Sequence, residues 1–313
     1  MTPIDPPHIC KTIKPIEGEI TIDDCIFKTY KWLASSDNWK GRILFVHGYR
    51  DHIGVYNEFA ETLAINGYDF FFFYQRGEGE SKLINNNIRG VSNDYYAYKG
   101  IDDMIDYNIN DLKEKNLNID KLHLMGLSMG GGLVLNYASN GKFKNKIKSF
   151  SVIGPLITLH KDTYPGFPIE LVVRTICFLG GKNLRVKSPI KIDYITGDPD
   201  YQKFLLSNGD TKGLDGAFVE TRDFILRGRN LLNYNTYSKI NKDKPLLICH
   251  GEDDHVNDVE ASKNFIEKLN SIENMNNKKF ITYPNGRHSI VADIPEVRSK
   301  VIADILQFLN DNQ

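Results

Sequence analysis

The chain has 313 residues, 41% of them hydrophobic and 25% charged, with a formal net charge of -1 at pH 7. That length is ample for a large core, and the near-neutral balance excludes a nucleic-acid binder, which would carry a basic excess or stripe. No apolar run reaches the roughly 18 residues of a membrane span, and the polar, proline-rich start at Met1–Pro7 does not read as a signal peptide.

Glu19–Ile22 and Cys25–Leu33 read as an opening antiparallel pair joined at Asp23-Asp24. Arg42–His47 is a continuous apolar run ended by Gly48, which suits a strand buried on both faces. Phe59 and Leu63 begin a helical stripe that Asn66-Gly67 closes, and Phe70–Tyr74 is an aromatic strand followed by a tight loop, Gln75–Ser81. Tyr98, Ile101, Ile105, Ile109 and Leu112 recur at helical spacing. Leu122 and Leu124 mark a short strand, Leu133–Ala138 a helix, and Ile147–Ile153 a further strand that breaks at Gly154-Pro155. Later come a strand at Pro245–His250, a helix near Val259–Leu269, a strand at Phe280–Tyr283 and a last helix, Glu296–Leu309. Such alternation implies an α/β fold, a mostly parallel central sheet flanked by helices.

Between Pro155 and Lys242 this rhythm stops. Pro165, Pro168, Pro189 and Pro199 interrupt the stretch, and one apolar segment runs from Phe167 to Leu179. Residues 155–242 are therefore expected to form an inserted helical lid on a core made of 1–154 and 243–313. The apolar segment is about half a membrane span long. It suits either a buried lid helix or one lying on a lipid surface, and its two faces can serve both. Cys10, Cys25, Cys177 and Cys249 share no paired spacing, and Cys25 and Cys249 sit in strand-like runs. They read as reduced core residues in a reducing, cytoplasmic compartment.

Gly126-Leu127-Ser128-Met129-Gly130 fits G-x-S-x-G in a strand–turn–helix context. A nucleophile on so sharp a turn leaves almost no room for side chains two residues before and after it. Ser128 is then exposed at a helix N-terminus, where free N–H groups favour developing negative charge. A serine hydroxyl needs an imidazole to take its proton and a carboxylate to orient that imidazole. In a doubly wound sheet both come from loops at the carboxyl ends of strands. His288 directly follows its strand in such a loop, whereas His160 begins the lid and His255 adjoins the acid in sequence. His47 is expected to brace its loop, and His8, His123 and His250 carry no evident role. Asp254 is the expected acid, with Asp253 and Asp258 as alternatives. The Glu252-Asp253-Asp254-His255 run also suggests a metal, but four adjacent loop residues point in different directions, so none is expected. The order Ser128, Asp254, His288 is that of α/β-hydrolases. Met129, next after the serine, and Tyr49, in the loop after the Ile43–His47 strand, are the expected oxyanion donors.

Gly126-Leu-Ser-Met-Gly-Gly-Gly132, His47-Gly48, Asp51-His52, Gln75-Arg-Gly-Glu-Gly79, Asn136-Tyr-Ala138, Gly154-Pro-Leu156, Lys244-Pro245, His250-Gly-Glu-Asp-Asp254, Tyr283-Pro284 and Arg287-His-Ser289 together resemble the monoacylglycerol lipase family, especially its fungal members. The similarity runs from about Phe27 to Phe308. It implies an α/β-hydrolase fold, no cofactor, and cleavage of the single ester of a monoacylglycerol at a lipid surface. It also implies catalytic roles for Ser128, Asp254 and His288 and oxyanion roles for Tyr49 and Met129. Leu127 replaces the family's usual histidine, Arg50 its glycine, Asp51 its glutamate and Val55 its arginine. Asp51 and His52 are expected near the leaving alcohol. Ile169 and Val173 are expected on an apolar lid rim that meets the substrate and the surface of a lipid droplet or intracellular membrane. A lysophospholipase or a broad carboxylesterase would use the same residues. A hydrolase fold kept only for binding is disfavoured by the complete Ser–Asp–His set.

Overall fold

The computed structural model describes residues 4–85, 90–188, 190–208, 214–275 and 277–313; Pro189 lies outside them. The first half runs β1 (Ile16–Ile22), β2 (Cys25–Trp32), β3 (Gly41–Val46), α1 (Asn57–Ile65), β4 (Tyr68–Phe73), β5 (Lys82–Leu83), α2 (Asp94–Glu114), β6 (Leu122–Leu127), α3 (Met129–Asn140) and β7 (Phe150–Ile153). An insertion follows: α4 (Phe167–Phe178), β8 (Arg185–Ser188), α5 (Ile192–Ile195), α6 (Pro199–Ser207), β9 (Leu214–Ala217), α7 (Phe218–Asn230) and α8 (Tyr234–Tyr237). β10 (Leu246–Gly251), α9 (Val259–Asn270), β11 (Lys278–Tyr283) and α10 (Pro295–Asp311) complete the chain.

The main sheet has the order β1-β2-β4-β3-β6-β7-β10-β11, with β5 paired to β2. From β4 to β11 every neighbouring pair is parallel, while β1–β2, β2–β4 and β2–β5 are antiparallel. Alternation along the central strands divides the core in two. Ile43, Phe45, Phe70 and Phe72 face α1 and α10 on one side. Leu44, Val46, Phe71 and Phe73 face α2, α3 and α9 on the other. Both faces are apolar because helices cover both, so these strands carry no polar alternation. Arg42 is the exception in β3. Burial of its charge is compensated by Asp69 at 3.0 Å and Asp111 at 2.6 Å.

The expected elements lie where the sequence places them, with shifted ends. The opening hairpin turns at Asp23, whose φ is 53°, and its first strand begins earlier than Glu19. Among its described residues the 155–242 stretch holds five helices, α4 to α8, and an antiparallel ribbon of β8 and β9 that no sequence pattern predicts. The ribbon's pairing is between distant residues, so no local pattern announces it. Among the described residues no helix is long and apolar enough to cross a membrane. The four cysteines are free and buried.

Candidate active site

Because β3, β6, β7, β10 and β11 run parallel, the loops that follow them open on one edge of the sheet. Ser128 stands on the turn between β6 and α3 with φ 54° and ψ -119°. Close packing explains the flanking glycines: a Cβ on Gly130 would lie 2.0 Å from the Val46 carbonyl oxygen, and one on Gly126 would lie 2.5 Å from that of Gly130.

Three side chains from three loops meet here. His288 Nε2 lies 2.8 Å from Ser128 Oγ, and its Nδ1 lies 2.8 Å from Asp254 Oδ2. With Nδ1–H donating to the carboxylate, Nε2 is left as acceptor for the serine hydroxyl. The other Asp254 oxygen accepts from the N–H groups of Val256 at 2.8 Å and Asn257 at 2.9 Å. Burial alone would raise the Asp254 carboxyl, but the His288 charge and hydrogen bonds from His250 and His288 outweigh it and hold the group well below its usual range. Burial pulls His288 down, yet the Asp254 charge and hydrogen bond, with Asp51 beyond, reverse this and leave it above the ordinary 6.5. The alternative acids are placed elsewhere. Asp253 is exposed, and Asp258 caps α9 by accepting from Glu260 N–H.

His250 is a partner that the sequence reading passed over. Its Nε2 lies 3.1 Å from the same Asp254 oxygen, and Ser262 Oγ lies 2.8 Å from its Nδ1. Nothing in the local pattern marks it, since it closes an apolar strand and its partner Ser262 sits in α9. His47 is buried between the Gly48 carbonyl at 2.7 Å and the Gln75 N–H at 3.0 Å, and so braces its loop. Burial lowers its pKa to about 4.

Ser128 and His288 open on a cavity of about 320 Å³ that Tyr49 and Met129 also line. Its walls are mostly apolar: Leu127 and Val256 from the core, and Leu156, Ile192, Ile195, Leu205, Phe224 and Ile225 from the insertion. The insertion also clamps the site through its backbone. His288 N–H donates to the Tyr194 carbonyl at 3.2 Å and Ser289 N–H to that of Ile195 at 2.8 Å.

The four residues expected to bind substrate are distributed differently. Asp51 lines the cavity, but its Oδ2 accepts from Gly48 N–H at 2.6 Å and from the Tyr56 hydroxyl. Its carboxyl is raised by burial, which those two bonds offset only in part. The Oδ2 oxygen braces the loop. His52 lies outside the cavity lining, with Nδ1 accepting from Gly54 N–H at 3.1 Å and its ring edge-on to Phe204. Ile169 is 54% exposed on the outer side of α4, and Val173 is buried against α7. Neither lines the Ser128 cavity: α4 packs outside α7, and the helices of the insertion that reach the wall are α5, α6 and α7.

Fold and site together define the chain as a serine ester hydrolase of the α/β-hydrolase class. A family model described as "Serine aminopeptidase, S33" matches residues 37–295. The chain is 34% identical over 276 residues to the monoglyceride lipase of Saccharomyces cerevisiae, across 87% of this chain and 85% of that relative. It superposes with TM-score 0.89 and 30% identity on the crystal structure of a soluble variant of that lipase in complex with a substrate analog, covering 100% of this chain and 99% of the other. The Paleococcus ferrophilus monoacylglycerol lipase shares the fold at TM-score 0.75 and 20% identity, covering 92% and 99%. The chain belongs to the monoacylglycerol lipase family, in its fungal form.

Proposed function

We propose that this enzyme hydrolyses monoacylglycerols to glycerol and free fatty acid, with Ser128 as nucleophile. The observation that carries the reading is the buried Ser128–His288–Asp254 relay opening on an apolar cavity under the insertion. Ser128 Oγ attacks the ester carbonyl while His288 Nε2 takes its proton, and Asp254 stabilises the resulting imidazolium. The carbonyl oxygen becomes an oxyanion held by the N–H groups of Tyr49 and Met129. The C–O bond to the alcohol breaks as His288 returns the proton to the leaving oxygen, so glycerol departs and an acyl-enzyme remains. Water, deprotonated by His288, then attacks the acyl carbon; collapse releases the fatty acid and restores Ser128. No cofactor enters this scheme.

Residues 155–242 act in this reading as the lid: α5, α6 and α7 wall the acyl chain, and α4 meets the lipid surface. Phe167, Ile169, Leu171, Val172 and Phe178 are each at least half exposed on α4. Apolar residues so concentrated suit a helix resting on a lipid droplet or intracellular membrane from the cytoplasmic side.

One observation favours a broader carboxylesterase as the second reading. Asp51 Oδ2 is engaged within its own loop, and Val55 is buried and apolar, so neither position offers the polar grip that the resembling family's glutamate and arginine would supply. A pocket without hydroxyl-binding groups separates substrates weakly. Rates on a monoacylglycerol, a diacylglycerol, a lysophospholipid and the methyl ester of the same acid test the assignment. We expect the monoacylglycerol to be fastest, with the methyl ester roughly tenfold slower. A lysophospholipid cleaved faster than the monoacylglycerol would overturn it.

A further inference from the structure

The loop after β3 holds a residue that the scheme above does not use. Arg50 has φ 57°, a left-handed backbone in which an L side chain is strained. It stands where the resembling family carries glycine. Its side chain is buried among groups from three parts of the chain. Glu78 accepts from the Arg50 backbone N–H at 2.9 Å and lies 3.3 Å from Nη1, and the Gly77 carbonyl accepts from Nη1 as well. Glu220, in the first turn of α7, lies 3.2 Å from Nη2. Glu220 is itself anchored, accepting from Ser92 N–H at 3.0 Å and Ala217 N–H at 2.9 Å.

The same elements close on the neighbouring residue. The Arg50 guanidinium lies 4.8 Å from the centre of the Tyr49 ring, and Phe224, one turn beyond Glu220, packs on that ring at 5.6 Å. A Cβ on Gly216 would fall 1.7 Å from Tyr49 Oη, so the ribbon also closes against this side chain. Strain persists only where the surroundings over-determine it, and here buried ion pairs do so. The Tyr49 N–H belongs to the peptide unit just before the one that Tyr49 shares with Arg50. The packed Tyr49 ring together with the held Arg50 backbone restricts the φ and ψ between the two units, and hence its aim.

We propose that Arg50 is a positioning residue for the oxyanion hole. By joining Glu78 of the core to Glu220 of the insertion, it makes the aim of the Tyr49 N–H depend on how α7 is seated. The proposal rests on Tyr49 being an oxyanion donor. Because the oxyanion exists only beyond the ground state, misaligning its donor lowers kcat and leaves KM nearly unchanged.

Steady-state kinetics on a soluble p-nitrophenyl ester, with fluorophosphonate labelling of Ser128, test it in the full chain. Arg50→Gly relieves the backbone strain but leaves the buried Glu78 and Glu220 without their shared cation, so a thermal melt accompanies its kinetics. Its kcat should fall about 30-fold, between a small misplacement and the loss of a donor, with KM within about twofold. Arg50→Lys should recover part of that loss, and Glu220→Gln should lose about fivefold, with the double variant Arg50→Gly/Glu220→Gln no worse than Arg50→Gly alone. Wild-type kcat in Arg50→Gly overturns the proposal, as does a loss carried by KM. If Arg50→Gly fails to fold, Glu220→Gln at wild-type kcat overturns it instead. An unmodified enzyme that neither labels nor hydrolyses esters would sink the Ser128 reading, and the Arg50 role with it. An active one with an unaffected Arg50→Gly sinks only the latter.

Discussion

Helices α3 and α4 are both 12 residues long and both rich in apolar side chains, yet the fold treats them oppositely. In α3 every residue but Asn140 is buried, because the helix lies against the sheet under the serine turn. In α4 only Glu170, Val173 and Cys177 are buried, while Phe178 is 88% exposed and Ile169 54%. The one carboxylate of α4 faces inward beside Val173 and Cys177, where Arg229 at 2.8 Å and the Tyr164 hydroxyl at 2.8 Å satisfy it, while most of the apolar side chains face outward. Apolar composition alone therefore says little about burial. A helix that must hold a strained turn in register is locked on all sides, whereas α4, packed against the outside of α7, leaves its apolar side outward. An outward apolar face costs free energy in water and is retained where something apolar can meet it.

The sharpest break in the comparison comes at the start of α3. Ser128→Ala, Asp254→Asn and His288→Ala should each lower turnover by about 10⁴-fold or more with the fold intact, since such residues act as a unit. Esterase kinetics beside a thermal melt check this. A nearly silent Asp254→Asn would reject the assigned acid. Gly130→Ala attacks α3 by packing instead. The new Cβ has no space beside the Val46 carbonyl, so a loss of about 3 kcal/mol is expected, at the upper end of the usual range for core overpacking. Urea unfolding measures it, and a loss below about 1 kcal/mol would show that the elbow can relax.

On α4 the two faces should separate. Ile169→Ser with Phe178→Ser should weaken liposome binding about tenfold, because roughly 25 cal/mol per Å² of apolar burial at the lipid surface is lost. Hydrolysis of a soluble ester should not change. Equal losses in both assays would assign the outer face to the core. Val173→Ser, on the buried face, should instead cost about 1–2 kcal/mol of stability and leave liposome binding untouched.

The smallest effect is on pH. Proton abstraction needs neutral His288, and its pKa lies above 6.5 because the Asp254 interactions exceed the burial penalty. As pH falls through that value the imidazole protonates, so kcat/KM should lose activity on an acid limb centred above 6.5. In Asp254→Asn the raising charge is gone, and the limb of the residual activity should move to lower pH. A limb that stays in place would mean that another group sets it.

Much of this was legible in the chain itself. Continuous apolar runs such as Ile43–Val46 and Leu246–Cys249 announce strands covered on both faces, and strand–helix alternation then dictates a parallel sheet. Parallel strands place their following loops at one edge, so Ser128, Asp254 and His288 could be grouped from order and loop position. What local pattern could not supply was the direction of each side chain once distant segments packed. Asp51 turns back to Gly48 and Tyr56, His250 joins Asp254, and Ile169 and Val173, four residues apart, part to opposite environments. The insertion shows the limit most clearly. Its ribbon, its clamp on the His288 backbone and the Glu220–Arg50 pair all join residues dozens to well over a hundred positions apart. Periodicity reports only which residues share a face; which face meets water, lipid or another helix is set by long-range packing, and that was decided by the tertiary structure alone.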